Sequence, residues 1–95
     1  MDVGLRDGGK SAPVLVMSVP FAGEDRALIT VVMHTTSLRG SEWEIAVAFS
    51  PLKMGAFLAQ SVATYAQTRA VRRLGTLPAG EFAKVETAVF QWLGR

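Results

Sequence analysis

ALITVVMHTT, residues 27–36, is the stretch on which the fold turns. Ile29, Thr30, Val31 and Val32 are β-branched and consecutive, and neither glycine nor proline interrupts them. Such a run fits a pleated, half-buried surface and predicts a strand. It ends on His34, Thr35 and Thr36, followed by the turn residues SLRGS at 37–41. Beyond that turn, WEIAVAF at 43–49 alternates imperfectly and predicts a further strand. Upstream, PVLVMSV at 13–19 is apolar, β-branched and bounded by Pro13 and Pro20, and it predicts the strand before. The turn-like residues 21–26, FAGEDR, join the two. Three strands with short connections predict an antiparallel meander.

The flanks read differently. Residues 1–10, MDVGLRDGGK, are polar and glycine-rich and predict a loop or frayed arm. Residues 52–74 are rich in Ala, Leu, Gln and Arg, which helices favour, yet Gly55, Val62, Thr64 and Tyr65 oppose one continuous helix. Composition leaves that stretch open. At the C-terminal end, Phe82, Val85, Val89, Trp92 and Leu93 fall on one helical face. Pro78 fits a first turn, Glu81 complements the N-terminal dipole and Gly94 suits a terminator, so residues 79–93 are predicted helical. The expected class is α+β, mainly β, in a single domain spanning residues 1–95.

With 49% hydrophobic and only 19% charged residues, the chain is not a disordered polymer. It carries more apolar side chain than so small a fold easily hides, which points to a subunit interface. The absence of cysteine excludes a disulfide framework, a CxxC zinc site and a thiol nucleophile. No apolar run reaches the ~18–20 residues of a membrane span, and no apolar core follows the N-terminus as in a signal peptide, so the cytoplasm is the expected location. Net charge is +2, but unevenly spread. Residues 1–48 hold four basic and six acidic side chains, residues 49–95 six and two. The excess gathers at Arg69, Arg72 and Arg73, a patch that can attract phosphate or simply face solvent.

The catalytic inventory is small. One histidine permits no two-histidine zinc motif, so neither a metal nor another cofactor is expected. Gly8, Gly9, Lys10 and Ser11 match the tail of a phosphate-binding loop by letters only, without the strand and glycine that should precede them. Glu42 and Glu44 flank Trp43 as a solvated strand edge rather than an acid–base pair. At the end of the second predicted strand, pleat alternation separates Thr35 from His34 and Thr36. A hydroxyl there can orient a phosphate oxygen or cap a turn.

Together GGKSAPVLVMS, HTTSLRGSEWEI, AQSVATY, VRRLGTL and LPAGEFAKVETAVFQWLG, in this order over roughly residues 8–94, resemble the MazF/PemK toxins of type II toxin–antitoxin modules. The resemblance implies an SH3-like small barrel with a C-terminal helix, usually a homodimer. It resolves the open middle into a strand at 61–65, a helical turn at 66–70 and a strand at 71–77. It implies metal-independent cleavage of single-stranded RNA by attack of a 2′-hydroxyl on its own phosphodiester. It also implies an antitoxin partner that wraps the toxin and covers the RNA groove.

Carried over position by position, the family threonine falls on Thr35, where it would hold the scissile phosphate, with Thr36 beside it in the motif. The family glutamine falls on Gln60. The family arginine that precedes the proline falls on Ala12, and the acid before the glutamine falls on Ala59. Two charged positions are therefore alanine, and cleavage is expected to be impaired. Lys10 is the nearest cation in sequence to Ala12, while Arg69 and Arg72 are assigned to the RNA backbone. The family's opening strand, of the type GDIVLVxF, has no full counterpart, so most of that first strand is expected to be missing. Two alternatives follow: a non-catalytic relative that binds antitoxin or RNA, and a small DNA-binding regulator using the 69–73 patch.

Overall fold

The computed structural model describes residues 2–6, 12–49, 51–52 and 54–94. Lys10 lies outside them. Within the described residues the chain order is β1 (Asp2–Arg6), β2 (Ala12–Val16), β3 (Leu28–Thr35), β4 (Glu44–Ile45), β5 (Ala56–Ala66), β6 (Ala70–Thr76) and α1 (Ala79–Trp92). A 3-10 turn, Gln67–Arg69, links β5 to β6. All pairings are antiparallel, in the order β4-β5-β3-β2-β1-β6. The class is mainly β with one C-terminal helix, as the sequence predicts.

The sheet is not closed by hydrogen bonds, yet it must curl. β5 and β6 stand four strands apart in the sheet order, about 19 Å if flat at ~4.8 Å per strand. The turn Gln67–Arg69 between Ala66 and Ala70 spans at most ~14 Å even when fully extended. Only a sheet bent round toward a barrel satisfies both, with β4 and β6 left as edges.

The two faces of this sheet carry separate cores. One holds Val3, Leu15, Val32, Phe57, Ala59 and Leu77 beneath Val85, Ala88 and Val89 of α1. Burying each large apolar side chain of this kind stabilises the fold by roughly 1.5–3 kcal/mol. The other face gathers Val14, Ile29 and Val31, with Val16, Met33 and Tyr65 packed around them. The helical stripe lies against the first core from Phe82 to Trp92, where Trp92 meets the Trp43 ring edge-on at 5.5 Å. It runs off the core at Leu93, which is 55% exposed. Gly94, at φ +81°, ends the helix, its N–H donating to the Gln91 carbonyl.

Four local expectations need correction. Asp2–Arg6 is not a frayed arm: it is β1, held on both sides by β2 and β6. The strand expected at 43–49 shrinks to Glu44–Ile45, although Trp43, Ile45, Val47 and Phe49 still alternate onto the core. Ala48 N–H donates instead to Glu81 Oε1 at 2.8 Å, tying this segment to the helix start. The first three predicted strands form no meander, because β3 pairs with β5 and β4 lies beyond it. The strand expected at 61–65 is longer, Ala56–Ala66, and includes Gln60.

Candidate functional site

Thr35 closes β3, paired with Ala56. Its Oγ1 accepts the Ser37 N–H at 3.0 Å, which leaves the hydroxyl hydrogen to donate outward. The chain enters β5 through Gly55, at φ +102°. A Cβ there would stand 2.2 Å from the Thr35 carbonyl oxygen and 2.8 Å from His34 Cε1. Only glycine lets the backbone press this closely on the strand end, so Gly55 fixes where Thr35 sits.

The loop after Thr35 is equally constrained. The Glu44 carboxylate accepts the Arg39 N–H at 2.9 and 3.1 Å and the Ser41 N–H at 2.9 Å. These bonds, that from Arg39 foremost, hold its pKa below the ordinary carboxylate value. Glu44 therefore staples the 37–41 loop, a role that the reading as a solvated edge did not include. Thr36 is exposed at the start of this loop.

His34 belongs to the other face. Its ring meets Phe57 edge-on at 5.2 Å, and burial lowers its pKa from 6.5. Replacing His34 by alanine is expected to cost about 1–3 kcal/mol of stability and to leave binding at Thr35 unchanged. The folded state resists protonating the imidazole, so stability falls as pH drops below about 6.5. The alanine variant should lose that slope. Thermal melts between pH 5 and 8 check it, and a pH dependence unchanged in the variant would contradict the assignment.

Gln60 is exposed at a wide irregularity in the β3–β5 ladder. Two steps along β3, Val31 to Met33, oppose five along β5, Ala63 to Leu58. Ser61 repairs the gap, accepting the Met33 N–H at 2.8 Å and donating to the Leu58 carbonyl at 2.7 Å. Leu58 pairs with Met33 on the face that carries Thr35, and Gln60 follows it at strand spacing. Gln60 itself lies within the irregularity, outside the residues that pair with β3, so the ladder does not assign it to the face of Thr35.

The basic residues separate. Arg69 follows the far end of β5, where Ala66 pairs with Leu28, the residue of β3 most remote from Thr35. Its guanidinium lies over the Tyr65 ring, 5.5 Å from the centroid. Arg73 pairs with Gly4 and donates through Nη2 to Thr76 Oγ1, whereas Arg72 pairs with Leu5. Gly4 pairs with Val14 and so belongs to the row of the second core, the face of Thr35. Arg73, not Arg72, occupies a register position on that face. Sequence reasoning had no register from which to tell the two apart, and it offered no signal for Gly55 or Ser61.

Ala12 opens β2. The β2–β3 ladder runs Val16↔Val31, Leu15↔Val32, Val14↔Met33 and stops beside Pro13, which has no N–H to donate. On its other side Ala12 pairs with Arg6 of β1. Among the described residues no group of three His, Cys, Asp or Glu could hold a metal ion, and no helix is long and apolar enough to cross a membrane.

A family model described as PemK-like, MazF-like toxin of type II toxin–antitoxin system matches residues 3–93. No curated protein sequence matches the chain. Among solved structures, the chain is similar to a mycobacterial endoribonuclease in complex with its cognate antitoxin. The identity is 26%, 98% of this chain and 91% of that one are covered, and the TM-score is 0.84. It also resembles a Mycobacterium tuberculosis MazF toxin, at 20% identity over 99% of this chain and 97% of that one, TM-score 0.78. A Deinococcus radiodurans MazE–MazF structure matches at 22% over 98% and 90%, TM-score 0.81. At these identities the last two speak for the fold alone.

Proposed function

Because the chain belongs to the PemK-like, MazF-like toxin family of type II toxin–antitoxin systems, we propose that it binds single-stranded RNA across the Thr35 end of the sheet and cleaves it slowly. The observation that carries this reading is the built strand end at Thr35. There a hydroxyl is fixed from one side by Ser37 N–H and from the other by the close approach of Gly55. Thr35 donates to a non-bridging oxygen of the scissile phosphate. The 2′-oxygen attacks phosphorus and the bond to the 5′-oxygen breaks, leaving a 2′,3′-cyclic phosphate and a 5′-hydroxyl. The proton lost by the 2′-hydroxyl is balanced by the one gained at the 5′-oxygen. Negative charge grows on the phosphoryl oxygens during attack, and a preorganised cationic donor there is worth ~10²–10³ in rate. Position 12, the first residue of β2, is alanine and supplies none, so turnover is slow.

Gln60 and Thr36 contact the flanking nucleotides, and Arg73, at a register position on the face of Thr35, adds a salt-screened attraction for the RNA backbone. An antitoxin peptide covers the same groove in the resting cell, and the protein acts in the cytoplasm. The test is a fluorogenic single-stranded RNA with EDTA present. Slow cleavage is expected, with binding that weakens as salt rises, and no binding at low salt would overturn the reading.

The chain works as a homodimer. Phe90 of α1 and Leu93 just after it are 50% and 55% exposed beside Met17 and Val62, and Val19 and Phe21 are exposed after β2. A small soluble chain rarely leaves such a surface bare. Light scattering is expected to give twice the 10.2 kDa chain mass; a stable single-chain mass in dilute solution would contradict this.

A further inference from the structure

We propose that Tyr65 and Arg69 form a second RNA subsite, a platform on which a nucleobase stacks at a distance from the phosphate held by Thr35. The proposal rests on the reading of Thr35 as the phosphate site. Tyr65, near the end of β5, pairs with Ile29 at the start of β3. Ile29 and Val31 belong to the second core, and Met33 and Tyr65 pack against it. Thr35 follows Met33 on the same face of β3, at the two-residue period of a strand. The tyrosine ring and the Thr35 hydroxyl therefore share one face, at opposite ends of one strand. Six residues separate Ile29 from Thr35, ~20 Å along the strand at ~3.3 Å each.

The platform is fixed from below. The Arg69 guanidinium stands over the Tyr65 ring, 5.5 Å from its centroid, within the range of a cation–π contact. Tyr65 is half-buried with its hydroxyl oxygen out of solvent, whereas Arg69 is exposed. The 3-10 turn that carries Arg69 is tied to the chain entering β3, because the Gln67 N–H donates to the Ala27 carbonyl at 3.0 Å. Arg69 thus presents a flat cation to solvent on a turn anchored to the same strand as Thr35. Single-stranded RNA is recognised by stacking its bases on such guanidinium planes and on aromatic rings. Val31 and Met33 lie between the two ends on this face and are uncharged, so neither repels a phosphate backbone running along β3. A span of ~20 Å takes about six stacked nucleotides at ~3.4 Å each, and fewer when the strand is drawn out. The ligand is accordingly a single strand long enough to reach both ends of β3. A duplex, whose bases already stack on one another, cannot use the platform.

The experiment measures affinity for mixed-sequence single-stranded RNAs, from dinucleotides to about twelve nucleotides, by fluorescence anisotropy. It compares the wild type with Arg69→Lys, Arg69→Gln, Tyr65→Leu and Thr35→Val, with thermal melting in parallel. The wild type is expected to gain about tenfold in affinity as length passes about six nucleotides, the scale of one stacked base. Arg69→Gln should lose most of that gain and bind the shortest RNAs as the wild type does. Arg69→Lys, which keeps the charge and loses the plane, should lose it too. Tyr65→Leu should behave like them, and the two variants at the exposed position 69 decide the matter where Tyr65→Leu fails to fold. Thr35→Val should weaken binding at every length and keep the gain. A gain that survives in both Arg69 variants overturns the platform, as does one that Arg69→Lys keeps and Arg69→Gln loses, or a loss of equal factor at every length. No gain in a wild type that Thr35→Val weakens overturns the platform and leaves the Thr35 site standing. A gain in the wild type with no effect of Thr35→Val at any length overturns the Thr35 reading instead, and with it the two-ended span.

Discussion

Ala12→Arg is expected to raise single-stranded RNA cleavage by ~10²-fold or more while changing RNA affinity far less, which corresponds to ~2.7 kcal/mol of transition-state stabilisation. The asymmetry follows from when the charge appears. Bound RNA already carries one negative charge per phosphate, and the exposed basic residues attract it whether or not attack proceeds. The additional charge forms only as the 2′-oxygen closes on phosphorus. The Thr35 hydroxyl offers a dipole to that charge and no counter-charge. A guanidinium at position 12, which opens β2 and pairs with β1, would be carried on a hydrogen-bonded strand rather than a loop. Its cost of reorganisation at the moment of attack is correspondingly small. An unchanged rate in a folded Ala12→Arg protein would mean that charge at the phosphate does not limit turnover.

Much of this fold was legible in the sequence, and the parts that were not have a common physical origin. β2, β3 and α1 announce themselves because their own residues decide them: consecutive β-branched side chains in the strands, a 3.6-residue apolar stripe in the helix. β1 does not. Asp2–Arg6 contains a glycine and two charges, and pairing with β2 and β6 overrides its weak local preference. The segment 43–49 shows the reverse. Its alternation survives in the packing of Trp43, Ile45, Val47 and Phe49, yet the ladder ends after Ile45 and Ala48 N–H turns to Glu81. Glu81 is partnered by Lys84 at 2.5 Å, and that bond is the main reason its pKa lies below the ordinary value. The middle was open on propensity and became a strand only through the family resemblance.

The candidate site divides in the same way. Thr35 was visible from its motif, and the alternation that separates it from His34 was visible from the pleat. The closeness of Gly55 to the Thr35 carbonyl, the Ser61 repair of the wide irregularity and the stapling of the 37–41 loop by Glu44 depend on residues 3 to 28 positions apart in sequence. The pairing of Ala12 with Arg6 depends on a β1–β2 register that neither strand displays alone. Side-chain chemistry can be read from a single strand; the row that places it cannot.

The most direct test of the account is the loss expected from Thr35→Val in the Ala12→Arg background. Valine keeps the β-branched shape and volume that suit the end of β3 and removes only the hydroxyl. The Ser37 N–H loses its acceptor at an exposed position, where water replaces it, so stability should change by at most ~1 kcal/mol. If the hydroxyl holds the scissile phosphate, cleavage in EDTA should fall by ~10²-fold, the cost of one preorganised donor. Thr35→Ser, which restores the hydroxyl, should recover most of it. A Thr35→Val protein that melts like its parent and cleaves RNA at the parent's rate would contradict the assignment of the phosphate site to Thr35.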